Sequence, residues 1–547
     1  MGILVLYLAV VAACLLWSAA CVAAAARTSR RWLRWTLVAL AVAVPVLALT
    51  VCVRLVALAG FLITNRFEAG LFMPPLVTCL AATLGAIAMP LVGLATSGGV
   101  RRAARWPAVG LVAMSLVAAA SAWGTLLFVD NAVAAEARML RAEAARIITA
   151  ALPPPPTPDE DAAPLYERAF ATLDADPAVS GPDSPLDHED ADIPSPEEQA
   201  ILARHAATLD LLRQAADRPR CRFDHDWSEL SIEMDLPEVQ AMRPAARLLA
   251  VAARAEAAEG DAAAALADVV RIGRMGRHVA EMPLGVAGST AIAIDGLALE
   301  VLAAVLPRLE PDDVPLLDSP NLAALLTDVP LVDRHIAGEE ALTLTAFADV
   351  AEGRYRGTND GDDCGDTAAP DVVRREPVGW RCFMMPTDLR FARRTSERLG
   401  ALARSGPAGV PFAEYARFDA ETMAAFDRRR PGMISGLMLP ACSVVARFPY
   451  MAAARRAAAQ ALVAVTRERL AGGTAPESLA ALVPDRLLAV PRDPFTADEP
   501  LRSKRSGDGW VVWSVGPDGE DDGGPVPPDV ESVEGNDDVG LWMTTKP

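Results

Sequence analysis

"PAARLLAVAARAEAAEGDAAAALADVVRIGRMGRH" runs from Pro244 to His278 and decides how most of the chain folds. Apolar and charged residues alternate at helical spacing on both sides of Gly260-Asp261. The glycine can take the left-handed conformation that closes one helix, and the aspartate can accept from the free N–H groups that open the next. Alanines on the facing sides let the two helices approach closely. The segment is therefore expected to be an antiparallel pair of helices.

The pair resembles a single tetratricopeptide-type hairpin. No second copy follows at the 34-residue period of that family, so a repeat array is not expected. The helical texture continues on both sides. Helices are expected over 162–175, 196–217, 285–306, 322–329, 335–353 and 386–403. Ser195 precedes the second of these, with Glu198 placed to complete a capping box. The alanine-rich, charged stretch 131–152 reads as a stalk helix that the run Pro153–Pro158 stops, because proline cannot continue a helix. A second acidic, proline-bearing linker covers 176–196. With no alternating strand pattern before about residue 499, residues 196–440 are expected to form an all-α domain.

Towards the start of the chain the texture becomes apolar. Runs over 1–26, 36–63, 71–95 and 108–129 each reach the roughly 20 residues that cross a bilayer as a helix. Residues 1–130 are thus expected to carry four transmembrane helices, with the lipid bilayer as a partner. No positive charge precedes the first run, whereas Arg27, Arg30, Arg31 and Arg34 follow it, the reverse of a cleaved signal. With Arg101, Arg102 and Arg105 after the third run, the positive-inside rule places both basic loops in the cytoplasm. The expected location is the bacterial inner membrane, with everything after residue 130 extracytoplasmic. Residues 1–130 carry a net charge of +7, which leaves −26 of the chain total of −19 for the rest. So acidic a remainder argues against nucleic acid as a partner.

Motifs for chemistry are sparse. The chain contains no GxSxG, HExxH, GxxxxGK[ST] or GxGxxG, and no CxxC. Cys221 lies four residues before His225, which is flanked by Asp224 and Asp226. A nucleophile and base can be drawn there, but the stretch reads as an irregular, solvated acidic loop. Asp360, Asp362, Asp363 and Asp366 form another acidic loop. Cys221, Cys364, Cys382 and Cys442 allow two disulfides in three connectivities.

The texture changes again within 441–547. An alanine-rich helix over 450–471 ends at Gly472-Gly473. Thr474 and Glu477 suggest a capped short helix over 476–482. Two strands are expected at 500–505 and 510–515, joined by the turn "SGDG". Both faces of "GWVVWSVG" are bulky, so that strand should be covered on both sides. The expected whole is a membrane protein: four transmembrane helices (1–130), stalk and linkers (131–195), an α-domain (196–440) and a small α+β module (441–547).

The pieces Asp493-Pro494-Phe495, Ser514-Val515-Gly516, Pro517-Asp518-Gly519 and "NDDVGLW" (Asn536–Trp542) resemble the periplasmic domain of the type II secretion major pseudopilin. The resemblance covers about 100 residues. It implies one structural calcium ion held by the carboxylates of Asp518, Asp537 and Asp538, with backbone carbonyls near Val515 and Glu520. Hard oxygen donors suit calcium, and clustered carboxylates repel one another without a cation. The loop between Gly519 and Asn536 is longer than in that family, with Asp521, Asp522 and Asp529 as substitute ligands. The family's methylated N-terminal segment is missing, so polymerisation into a pseudopilus is not implied.

The first functional expectation is a non-enzymatic, membrane-anchored structural or interaction protein. The analogy of the module points to another envelope or secretion protein as its partner. Two alternatives stay open: a membrane-bound hydrolase using Cys221 and His225, and a sensor or transporter using the membrane bundle around Arg54.

Overall fold

A computed structural model describes residues 134–352 other than 182–183, 188–192 and 330–331, then 385–427, 433–472, 476–525 other than 497 and 508, and 536–544, with parts of 21–33. Apart from residues 21 and 23–25, the four apolar N-terminal runs lie outside the described residues, as do Arg54, the acidic loop at 360–366, Cys364, Cys382, the Cys442 side chain and Asp529. The chain divides into two compact units, Met1–Arg138 with Ala351–Thr387, and Met139–Val350 with Asp388–Pro547. The second unit holds both the hairpin around Gly260 and the C-terminal strands.

This unit is mostly helical. Helix α1 (134–151), which belongs to this unit from residue 139 on, and α2 (Ala163–Leu173) precede α3 (Pro196–Arg204) and α4 (Ala206–Ala216). The expected single helix over 196–217 is broken at His205, whose side chain lies 2.9 Å from Asp176. The capping box forms as expected: the Glu198 N–H donates to Ser195 Oγ, and the Ser195 N–H donates to Glu198 Oε2 at 2.6 Å.

The hairpin is α5 (Pro237–Glu259) and α6 (Ala262–Val279). Gly260 adopts φ 86°, and Asp261 Oδ1 accepts from the Ala264 N–H at 3.0 Å. Helix α5 starts seven residues before Pro244. Pro237, with its φ already set, occupies the first turn instead, and Pro244 is carried within the helix. Arg213 on α4 fastens both helices, meeting Asp268 on α6 at 2.7 Å and Glu256 on α5 at 2.6 Å.

Helix α7 (Gly285–Val305) packs across the hairpin, followed by α8 (Pro320–Thr327), α9 (Asp333–Glu352), α10 (Met385–Gly409), α11 (Phe412–Asp427) and α12 (Met433–Leu470). Among the described residues, two helices, Gly285–Arg308 and Ile434–Leu470, are long and apolar enough to cross a membrane by length and composition. Here both pack as interior helices, with 72% and 57% of their most apolar windows buried. Arg456 on α12 is tied inside the unit to Asp295 on α7.

The C-terminal part is a three-stranded antiparallel sheet in the order β1 (Arg502–Ser506), β2 (Gly509–Ser514), β3 (Val539–Met543). Arg502 faces Trp513 across the first pair, and Val512 faces Leu541 across the second. Every residue of β2 is buried, as its two bulky faces require. Helix α12 packs on β2 and β3, and α7 also meets β3. The sheet therefore shares its supporting helix with the α-domain, because α12 runs unbroken through the boundary expected at 441. The expected helix at 476–482 is a 3-10 turn, Leu479–Leu482, without a side-chain cap.

Candidate metal centre

The strand β2 and the turn after it are held by one buried carboxylate. Asp493 is 2% exposed. Its Oδ1 accepts from the Phe495 N–H at 2.9 Å and from the Ser514 hydroxyl at 2.6 Å, and its Oδ2 accepts from the Val515 N–H at 3.0 Å. The Asp-Pro-Phe and Ser-Val-Gly motifs, far apart along the chain, are thereby one hydrogen-bonded unit. Phe495, Val515 and Val539 join the aromatic core of Phe412, Tyr415 and Tyr450.

Beyond Val515 the chain turns at Gly516, with φ 68°. A Cβ at this position would lie 1.8 Å from the Asp537 carbonyl oxygen. The two ends of the acidic loop are therefore in backbone contact, and only glycine admits both the conformation and the approach.

Around this contact the acids divide by burial. Asp518 and Glu520 are exposed, and Asp518 Oδ1 accepts from the Glu520 N–H at 3.0 Å in a local turn. Asp537 is exposed, and its N–H donates to Asp522 Oδ2 at 3.2 Å. Asp521 is engaged on both oxygens. One accepts from Trp513 Nε1 at 3.0 Å and the Gly523 N–H at 3.1 Å, and the other pairs with Arg502 Nε at 2.9 Å.

Asp538 is different. It is 8% exposed, and its Oδ2 accepts from the Gly524 N–H at 2.8 Å. Its Oδ1 is buried with no hydrogen-bond partner among the described residues. The Asp522 N–H approaches the carboxylate without closing a bond of normal geometry. Burial raises the proton affinity of Asp538, and the neighbouring charges of Asp521 and Asp522 raise it further, against the lowering effect of the Gly524 N–H. An unpaired buried carboxylate oxygen is costly, and a proton or a cation would relieve it.

The structure thus brings Asp537 and Asp538 beside Gly516. Val515 is buried next to them, and Asp518 and Glu520 stand on the exposed turn. Among the described residues, no three acidic, histidine or cysteine side chains converge closely enough to hold a metal ion as placed. An ion here would draw Asp522 and Asp538 together and complete its shell with backbone carbonyls. The donors are all hard oxygens, which suits calcium. Lys504, which no sequence motif singles out, donates to the Gly523 carbonyl and lies 5.3 Å from the Trp513 ring centre. It places one positive charge of the chain's own at the edge of the loop.

The Cys221–His225 pair is not brought together as a dyad. His225 Nε2 lies 2.6 Å from Glu238 Oε1 in an irregular segment, and burial pushes the Cys221 thiol up, the opposite of what a nucleophile needs. No protein-family model, curated protein or solved structure matches the chain.

Proposed function

We propose that the protein is a non-enzymatic, membrane-anchored structural or interaction protein of the bacterial inner membrane, whose extracytoplasmic C-terminal sheet is clamped by calcium. The observation that carries the clamp is the buried Oδ1 of Asp538, left without a partner beside Asp521 and Asp522. The resemblance of the surrounding motifs to the type II secretion major pseudopilin points to the same loop and ion. The four apolar runs within 1–130 and their flanking arginines support the anchor and its orientation. Asp522, Asp538 and exposed Asp518 and Asp537 would hold the ion, with backbone carbonyls near Val515 and Glu520. The ion would act by binding only the ordered loop, which favours the folded chain by mass action. Another envelope or secretion protein is the partner that this architecture suits.

The test is thermal unfolding of the full chain in calcium and in chelator. Because α12 belongs to both the helical part and the sheet, the C-terminal segment alone is not a suitable sample. Calcium at about 100 times its Kd is expected to add about 2.7 kcal/mol, read as a rise in melting temperature that chelator reverses. Asp538→Asn with Asp522→Asn should abolish the rise. Equal melting temperatures in calcium and chelator, or an undiminished rise in the double variant, would overturn the clamp.

A further inference from the structure

A cleft of about 530 Å³ lies within the second unit, where α5, α7 and α12 meet β3. Its volume falls in the range of small-molecule sites. Four arginines line it in two stripes. Arg247 and Arg254 stand seven residues apart on α5, and Arg447 and Arg455 stand eight apart on α12 with Met451 between them. Each spacing returns a side chain to the same helix face. Leu297, Val301, Met451 and Leu541 supply apolar lining.

Four guanidinium groups on one cleft are unexpected in a chain of net charge −19, because like charges gathered together repel. The local carboxylates do not answer all four. Arg254 donates to Glu198 at 3.2 Å, and Arg455 stands 4.0 Å from Glu300. Arg447 is half-buried and has no ion-pair or hydrogen-bond partner among the described residues. The fold also makes room for this stripe. A Cβ at Gly296 would come within 2.2 Å of Arg455 Nη1, so a bare residue on α7 accommodates the guanidinium. The carboxylates of the C-terminal loop that reach the cleft, Asp537 and Asp538, lie on β3's side.

We propose that this cleft binds a small organic oxyanion, a carboxylate or phosphate monoester carried on an apolar body. The planar fork of arginine pairs two-to-two with either group. Arg447 and Arg455 take the anionic end, and the apolar lining takes the body. The binding rests on the arginine stripes and not on the calcium clamp, so each can fail without the other.

Isothermal titration of the full chain, in phosphatidylcholine nanodiscs with calcium present throughout, tests it. The probes are benzyl phosphate, phenylacetate, dihexanoyl phosphatidate and neutral benzyl alcohol. At least one of the three anions is expected to bind with a Kd below about 1 mM, and benzyl alcohol at least about tenfold more weakly. Phosphatidate binding tighter than benzyl phosphate assigns a lipid source, and the reverse order assigns a soluble one. Arg447→Gln with Arg455→Gln should weaken binding about tenfold or more, while Arg447→Lys with Arg455→Lys retains part of it. Raising salt to about 0.5 M should weaken binding to the unaltered chain, a readout that does not depend on any variant folding. Absence of binding by all three anions up to about 10 mM, equal binding of benzyl alcohol, salt-independent binding, or unchanged affinity in a folded glutamine double variant would overturn the proposal.

Discussion

Asp493 shows what one residue contributes here. Its two oxygens take three donors from two separate parts of the chain while only 2% of the residue is exposed. Asp493→Ala would leave the Val515 and Phe495 N–H groups buried without their acceptor. Such groups cost about 1–3 kcal/mol each when unsatisfied. The expected loss is therefore about 3 kcal/mol or more, measured by denaturant unfolding followed through Trp510 and Trp513 fluorescence. A loss below about 0.5 kcal/mol, the scale of an ordinary surface change, would show that Asp493 is not what joins these motifs. The Asp-Pro-Phe triplet was visible in the sequence, but its role was not, because Ser514 lies 21 residues further on. For the same reason Asp538 could be singled out as an acid, while its orphaned Oδ1 could not. Burial of a single oxygen depends on residues brought in from elsewhere.

At the scale of elements, the hairpin around Gly260 was legible because its signals are local. The αL residue, the following cap and the apolar spacing all lie within a few turns. Gly260→Ala tests that directly. No atom lies within 4 Å of the position a Cβ would occupy, so the penalty is conformational and not steric. It should be about 1 kcal/mol, read as a lowered melting temperature. An unchanged melting temperature would mean that the turn relaxes without cost. Boundaries were less legible. Helix α5 begins at Pro237, and the 196–217 segment breaks at His205, where Asp176 contacts the ring from outside the segment. Only the strands at 500–505 and 510–515 were expected, and β3 was not. It is a strand because β2 offers a free edge, with Ser514 opposite Val539 and Val511 opposite Trp542. The Arg447–Met451–Arg455 spacing was present in the sequence, but nothing local indicates that Arg247 and Arg254 face the same space.

Across the whole unit, packing decides which charge states the fold accepts. His278 on α6 is buried with Tyr166 of α2, whose hydroxyl is 2.9 Å from Nδ1, while Nε2 lies 3.0 Å from the Arg218 carbonyl. These partners suit the neutral ring with its proton on Nε2, and burial pushes the pKa down to about 4. The folded value lies below the unfolded one, so the stability linked to this ring is full above pH 6.5 and is lost as pH falls towards 4. The loss is about 3 kcal/mol at roughly 1.4 kcal/mol per pKa unit. His278→Gln should remove that part of the decline in unfolding free energy between pH 6.5 and 4, measured by denaturant unfolding at each pH. A decline as steep as in the unaltered chain would assign the effect elsewhere, and His335, also buried and pushed down to about 4, is the next group to vary. The sequence by itself determined the helical character of the unit, the hairpin turn, the capping box and the paired strands, since propensity, capping and periodicity act over a few residues. Only the tertiary structure decided that α12 serves both helices and sheet, that Asp493 joins two distant motifs, that Asp538 keeps a buried oxygen without a partner, and that four arginines share one cleft. Those outcomes depend on which distant side chains exclude water from one another, and no stretch of neighbouring residues contains that information.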